Sequence, residues 1–386
     1  MAHIVHFGKY YFPDAGGIES VTVSLAKGAA LAGNTVSVVC FEKTPASKKE
    51  MIDGVQVIRA PIAKLLASQP LGFQYFLQCL SSAKKADVVH LHAPNMLGAL
   101  CALFIHSRTR LLVHWHSDVL NKGFIGKILR PLESALLRRA NSIIATSQVY
   151  ADASETLAPF KDKVAVVPIG VPDAKHEGSD SQLPPALESQ IGSRKIVLAV
   201  GRLVPYKGFN ALIQAAQQLA KDSVVVIVGG GPLHQELQQA IVHGGVEDRV
   251  VLAGRLSDAA LHALFERAAL YCLPSTYRAE AFGVVLLEAM TYGLPIVASD
   301  IPGSGVPWVN QHGVSGLNVP IGDAKALAEA CNQILGSEEL RSTLSKGARQ
   351  RFLAEFTEDV SVERIMSAYD GLLRAANTTY PRSVHR

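Results

Sequence analysis

Short unbroken runs of Val, Ile and Leu alternate with helical stretches twice along this chain, on either side of a polar break. In the first half the runs fit strands at His3–Phe7, Thr35–Cys40, Val55–Ile58, Asp87–His92, Arg110–His114, Ser142–Ala145 and Val164–Pro168. Helices read at about Ile18–Ala32, Leu71–Ser82 and Ile125–Ala140, the first stopping at Gly33-Asn34. In the second half strands fit Ile196–Val200, Ser223–Val228, Arg249–Leu252, Ala268–Leu273 and Ile296–Ala298, and the last helices span about Asp323–Leu335, Glu338–Phe356 and Glu358–Ala375. Strands that are apolar at every residue, not at every second one, belong to a parallel sheet covered on both faces. The expected fold is therefore α/β, with two Rossmann-like doubly wound sheets. Residues 173–194 are rich in Asp, Gly, Ser and Gln with two prolines, and read as a linker. The expected division is 1–172, linker 173–194, then 195–365. Residues 366–386 form a helix end and tail that crosses back to the first domain. Two such sheets place a cleft at the carboxyl ends of both sets of strands.

Composition narrows the partners. The net charge of +4 is uneven: Lys and Arg exceed Asp and Glu by five in residues 1–185 and fall one short in the rest. A mildly basic first half suits an anionic membrane or a phosphate-bearing acceptor, and a small fluctuation of charge fits it as well. The basic residues are not interleaved with aromatics in one block, which argues against nucleic acid. Cys40, Cys79, Cys101, Cys272 and Cys331 are scattered and odd in number, as in reduced cytosolic proteins. The opening residues lack the charged-then-apolar layout of a signal peptide, and no apolar run is long enough to cross a bilayer. A cytoplasmic location is expected, with contact at the inner face of the membrane as an open addition.

Three stretches carry chemistry. The run Tyr277–Pro295 reads as a loop with Glu280, then a helix near Gly283–Tyr292 with Glu288 on it, then a Gly293-Leu294-Pro295 stop. A helix N-terminus beside a glycine is a ready phosphate site, and a carboxylate on either side of it suits the hydroxyls of sugars at both ends of a diphosphate. The bland alternative is two solvated acids. Gly201-Arg202-Leu203 through Lys207-Gly208 follows the first strand of the second half, and two cations there suit the charge growing on a departing diphosphate. Gly16-Gly17 opens the first helix, where a tight turn and a close backbone approach to a ligand fit equally well.

A fourth cluster admits another chemistry. Alternation puts His114 and His116 on one face of a strand end, with His90 and His92 likewise on the strand before it. Four imidazoles suggest a metal, yet an Asp-His pair to complete the set is missing, residue 119 being Val, and the chain has no Asp-x-Asp. Gly229-Gly230-Gly231-Pro232 lacks the Lys-Ser/Thr of a phosphate loop and the spacing of a dinucleotide fingerprint, which argues against ATP or NAD. No cofactor and no metal are expected.

Glu280, Phe282, Gly283 and Glu288 match without a gap the Glu-x-Phe-Gly-x-x-x-x-Glu signature of glycosyltransferase family 4, which the chain resembles over nearly its whole length. Gly16, Gly17 and Glu19 match its Gly-Gly-x-Glu loop, and Gly201–Gly208 its Gly-Arg-Leu-x-x-x-Lys-Gly motif. The resemblance implies the GT-B fold and metal-independent sugar transfer, with retention, from a nucleoside-diphosphate sugar to an acceptor hydroxyl. It implies that Glu288 holds the ribose. Arg202, Lys207 and the N–H groups of Gly283 and Val284 hold the diphosphate, over which Gly16 and Gly17 close. Glu280 and His116 position the donor sugar, Phe282 belongs to the same motif, and Arg255 and Leu256 lie near the base. His114 is expected to be packed. One departure is the run Ser304–Trp308, where family members carry a further glycine and glutamate, so no donor contact is expected there.

The Phe7–Pro13 opening and the His114–Asp118 run resemble bacterial polysaccharide-assembly enzymes that move mannose or a deoxysugar from GDP donors to a glycan or polyprenyl-diphosphate-linked acceptor. Alternatives are a UDP-sugar donor, a GT-B epimerase, and a metal-dependent phosphohydrolase built on His90, His92, His114 and His116. Lys64–Lys85 and Leu120–Arg139 mix basic ends with apolar residues, which fits packed helices or a surface lying on a membrane.

Overall fold

The computed structural model describes residues 1–14, 16–44, 47–66, 69–119, 123–174 and 182–379. The chain forms two units, Met1–Val171 with Glu358–Arg386, and Pro172–Thr357.

The first unit runs β1 (His3–Phe7), α1 (Gly17–Leu31), β2 (Thr35–Glu42), β3 (Lys48–Ile52), β4 (Val55–Pro61), β5 (Lys64–Leu66), β6 (Gln69–Leu71), α2 (Phe73–Ala83), β7 (Val88–Ala93), α3 (Met96–Leu103), β8 (Arg110–Trp115), α4 (Gly123–Arg139), β9 (Ser142–Ala145), α5 (Gln148–Ala153) and β10 (Val164–Val166). Its main sheet has the order β10-β9-β8-β7-β1-β2-β4-β3. Only β3 is antiparallel, pairing with β4 at the edge. There Lys48, Lys49 and Met51 face solvent, as suits a protected edge strand.

The second unit runs α6 (Pro185–Ile191), β11 (Lys195–Val200), α7 (Phe209–Ala216), β12 (Ser223–Val228), α8 (His234–Gly244), β13 (Val250–Gly254), α9 (Asp258–Arg267), β14 (Ala268–Leu273), α10 (Val284–Thr291), β15 (Ile296–Ser299), α11 (Val306–Val309), β16 (Gly316–Val319), α12 (Ala324–Gly336) and α13 (Glu338–Glu355). Its six strands are all parallel, in the order β13-β12-β11-β14-β15-β16. Every residue of β12 is buried, which is why its sequence shows no alternation. Full burial of each such Val or Ile is worth about 1.5–3 kcal/mol.

In both sheets the chain works outward from one strand and then jumps back past it. The reversal lies between β1 and β7 in the first unit and between β11 and β14 in the second. Loops leaving the carboxyl ends of two such strands part company, which leaves room for a ligand.

The last helix, α14 (Glu358–Thr379), belongs to the first unit. It lies against α1 at Gly28, where an added Cβ would sit 2.4 Å from a methyl of Val362. A glycine inside a helix costs about 0.5–1 kcal/mol, and here its bare backbone admits the partner helix. Ser361 Oγ anchors the same helix to the carbonyl of Pro168 at 3.0 Å.

The structure corrects several expectations. The linker 173–194 contains α6, whose Glu188 pairs with Arg267, and Asp173 binds Arg349; its residues 175–181 lie outside the described residues. The return to the first unit begins at Glu358, eight positions before the expected 366, because a 22-residue helix starting there packs as one body. The part of the tail at 380–386 lies outside the described residues. The helix expected from Leu71 starts at Phe73, after the small β5–β6 hairpin, and β10 stops at Val166. Of the two basic-apolar stretches, residues 67–68 and 120–122 also lie outside the described residues.

Candidate active site

At the switch point of the second sheet, the loops after β11 and β14 are stitched together. Thr276 N–H donates to the carbonyl of Tyr206 at 2.8 Å. Gly208 has φ of 68°, and an added Cβ would fall 2.0 Å from the carbonyl oxygen of Pro274. Only glycine permits that approach. Its result is that Lys207 and Glu280, 73 residues apart, form a salt bridge of 2.5 Å in which Lys207 is 8% and Glu280 9% exposed. Ser275 Oγ adds a hydrogen bond to the same carboxylate oxygen at 3.0 Å. A charge this buried persists only when paired and hydrogen-bonded.

Three residues, Ala281 to Gly283, separate Glu280 from α10. Gly283 is the N-cap of that helix, in the left-handed region at φ 79°. Phe282 is buried and packs near Trp308 and Phe356. As at any helix start, the first N–H groups of α10 lack intrahelical acceptors and carry the positive end of the dipole. Glu288 lies on α10 itself and is half-buried. Burial pushes its carboxyl up to about 7, while the Lys207 charge pulls it down. Arg202 is exposed, with one guanidinium nitrogen 3.4 Å from the Tyr206 hydroxyl. Arg255 is exposed and its stem passes Gly230 after β12; Leu256 beside it is half-buried. Ser257 caps α9 by accepting from Ala260 N–H at 3.3 Å.

Sequence reasoning missed the groups that hold this loop. Ser304 Oγ donates to the Glu280 carbonyl and accepts from Val306 N–H at 3.1 Å, and Gly305 N–H donates to the Ala281 carbonyl at 2.8 Å. The departure from the family pattern at 304 thus puts a fully buried serine behind the site. Trp308 stacks edge-on against Phe356 and lies under Arg351.

The switch point of the first sheet carries a row of imidazoles. His6 on β1 is in register with His90 on β7, and His92 is in register with His114 on β8. Period-two alternation then sets all of these, with His116, on one face. All five are at most 6% exposed, and their rings stack, His114 on His116 at 4.1 Å between centroids. His92 Nδ1 is 3.1 Å from His116 Nε2, His92 Nε2 is 3.0 Å from His6 Nδ1, and Tyr369 of α14 reaches His90 and His6. Burial pushes His6 and His116 down to about 3 and His90, His92 and His114 well below the usual range, so the row is neutral.

The expectation of four histidines therefore grows to five plus a tyrosine. The contrast drawn between a packed His114 and an available His116 softens, since both are buried. Two triplets, His6-His90-His92 and His92-His114-His116, offer nitrogens within 4.8 Å of one another. Within them His6 and His92, and His92 and His116, are already joined nitrogen to nitrogen. Asp118, beside the row in sequence, is held by Trp115 Nε1 and Ser154 Oγ at 2.9 and 2.7 Å.

Gly16 is extended at φ 172° and Gly17 starts α1. The Glu19 carboxylate folds over Gly16, 2.2 Å from where a Cβ would be, so this end of α1 is covered by the chain's own acid.

A family model described as Glycosyltransferase Family 4 matches residues 15–175, and one described as Glycosyl transferases group 1 matches residues 188–351. The chain is 31% identical over 375 residues to O-antigen chain mannosyltransferase C of Escherichia coli, covering 96% of this chain and 99% of that one. This chain is a family 4 glycosyltransferase. It is also 31% identical over 355 residues to the D-rhamnosyltransferase WbpZ of Pseudomonas aeruginosa, covering 92% of each. Among solved structures, Anabaena Alr3699/HepE in complex with UDP superposes with a TM-score of 0.76 at 21% identity, over 96% of this glycosyltransferase and all of that chain. That likeness fixes the two-domain GT-B architecture, and membership of the family makes the chain a hexosyltransferase.

Proposed function

We propose that this glycosyltransferase moves mannose or a related deoxyhexose from a GDP-sugar, with retention and without a metal, to a hydroxyl of a glycan or polyprenyl-diphosphate-linked acceptor in bacterial polysaccharide assembly. The observation that carries the donor half is the buried Lys207–Glu280 pair beside the open N-terminus of α10 at the switch point. The names of the full-length relatives, one a mannosyl- and one a rhamnosyltransferase, support the sugar and the pathway.

In this reading Glu288 accepts the ribose hydroxyls. Arg202, Lys207 and the Gly283 and Val284 N–H groups take the diphosphate, whose charge grows as the sugar leaves. Arg255 and Leu256 line the base side. Glu280, freed in part from Lys207 as phosphate competes for the ammonium, and His116 orient the donor sugar. Chain cations and a helix end supply the positive charge that a divalent ion supplies elsewhere, and the departing diphosphate takes the acceptor proton.

Calorimetric titration with GDP and, separately, UDP in the presence of chelator tests the donor site. Micromolar GDP binding, worth roughly 8 kcal/mol, that is lost in Glu288→Ala is the expected result. Binding of UDP alone favours the UDP-sugar alternative, which the neighbour solved with UDP keeps in view. If neither nucleotide binds, the reading fails.

On the acceptor side, no helix among the described residues is long and apolar enough to cross a membrane. Leu65, Leu66, Phe73 and Leu77 are exposed near Lys64, Lys84 and Lys85, which supports peripheral contact with anionic lipid. Flotation with anionic vesicles at low salt checks this; a protein that stays at the bottom of the gradient refutes it.

A further inference from the structure

The imidazole row is a directed chain of hydrogen bonds. A neutral imidazole has one N–H and one bare nitrogen, so each link settles the next. Tyr369 Oη lies 2.6 Å from His90 Nδ1 and 3.5 Å from His6 Nε2. A phenol has one proton, and the short contact has the length of an O–H donor bond. The phenol therefore donates to His90 Nδ1, and its oxygen faces His6 Nε2–H at the longer distance. With Nε2 protonated, His6 Nδ1 is bare and accepts from His92 Nε2–H at 3.0 Å. His92 Nδ1 is then bare in turn and accepts from His116 Nε2–H at 3.1 Å.

The chain ends at His116 Nδ1, which is buried and has no partner. Reversing any single ring would set two N–H groups or two lone pairs against each other in a place where unpaired polar groups are costly. The direction is thus shared by His6, His92 and His116 and is set at its far end by Tyr369, while His114 stacks in the row without joining the chain.

We propose that Tyr369, His6 and His92 are positioning residues that lock His116 in its Nε2–H tautomer, so that His116 Nδ1 offers the substrate a lone pair. The inference rests on the reading above that His116 meets the sugar. It specifies the partner on the substrate as a hydroxyl that donates, and excludes an oxygen that only accepts. His116 stays neutral because burial holds its pKa down, so it orients a hydroxyl and does not deliver a proton. It also gives the return of α14 a part in the site, since that helix brings the phenol that starts the chain.

The test is 15N NMR of histidine rings in the intact protein, in wild type and in Tyr369→Phe, together with transfer kinetics. In wild type, His6, His92 and His116 should each show a protonated Nε2 and a bare Nδ1 at neutral pH. Tyr369→Phe removes the terminal oxygen, and the three rings should move towards mixed tautomers. We expect kcat to fall about threefold to tenfold while the donor KM stays within about twofold. A protonated Nδ1 on His116 in wild type overturns the proposal without any variant. So do unchanged ring signals in Tyr369→Phe, or stoichiometric zinc on the row of the purified protein. His116→Gln separates the two readings: full activity in it sinks the sugar contact, while the wild-type tautomers of His6, His92 and His116 decide the chain by themselves.

Discussion

The two sheets solve the same problem in opposite ways. Each buries polar side chains at its switch point, where the strand order reverses. The second unit keeps charge there and compensates it, Lys207 against Glu280. The first unit removes charge, holding five imidazoles neutral by desolvation and joining three of them nitrogen to nitrogen. An ion pair tolerates a phosphate arriving, because the ammonium can be shared. A neutral row tolerates no added charge, but it can fix a tautomer over a long path. Charge handling and hydrogen-bond direction are thus divided between the units.

Acid should break the comparison most severely. A histidine whose folded pKa is lowered contributes stability that is complete above about pH 6.5 and is lost as pH falls, because the unfolded chain binds the proton first. Per buried ring the loss grows by about 1.4 kcal/mol for each pH step below 6.5. Summed over several rings, this loss becomes comparable with the roughly 5–15 kcal/mol that holds a domain. Glu288 in the second unit has the opposite sign: its raised pKa favours the folded state as pH falls from about 7 towards 4.5. Hydrogen exchange between pH 6.5 and 4.5 should therefore show peptides of β1, β7 and β8 opening well before those of β11 and β14. Simultaneous opening would contradict the division.

Next in size is Glu280→Gln, which leaves Lys207 buried without its counter-charge. Breaking such a pair costs about 3–5 kcal/mol, read as a fall in thermal midpoint, with transfer reduced by at least about a hundredfold. Adding Lys207→Met should recover most of the midpoint and none of the activity. A double variant as unstable as the single one would show that the pair's geometry, and not its charge balance, holds the loops.

Glu288→Gln sharpens the contrast at smaller cost. With burial raising the carboxyl's pKa to about 7, GDP affinity should rise with pH between 6 and 8, as the carboxylate proposed to accept the ribose hydroxyls forms. The variant should bind about tenfold more weakly and lose that pH dependence in calorimetry. Smallest is Ser304→Ala, which frees the Glu280 carbonyl from its hydroxyl. We expect about 1 kcal/mol of stability to be lost and the donor KM to rise severalfold, with the histidine ring signals of the first unit untouched.

Much of the second unit's candidate site was legible in the sequence because its determinants are local. Glu280, Gly283 and Glu288 lie within nine residues, and the helix between them begins at a glycine and stops at Gly293. The expected helix at 283–292 and the observed Val284–Thr291 differ only at the caps. The strand runs were legible for the same reason: a parallel strand buried on both faces is mostly apolar, as β12 from Val224 on and β14 are. What the sequence hid depends on strand order and distant packing. His6 sits 84 residues before His90, and nothing near it announces a partner; parallel pairing of β1 with β7 makes them neighbours. Ser304 reads as a lost glycine and becomes the post behind Glu280 only because the loop after β15 folds back onto the loop after β14. The short α6 was read as linker because seven residues opened by Pro185 show too little periodicity to distinguish a helix from a turn.

The sequence alone thus determined the fold class, the family and the cluster of Lys207, Glu280 and Glu288 as the donor-side candidates, since local pattern and spacing specify elements and the loops between them. Only the tertiary structure decided that Tyr369, 363 residues from His6, stands at the head of a chain of four side chains ending at His116. Hydrogen-bond direction is a property of the assembled network, and no single residue in it carries that information by itself.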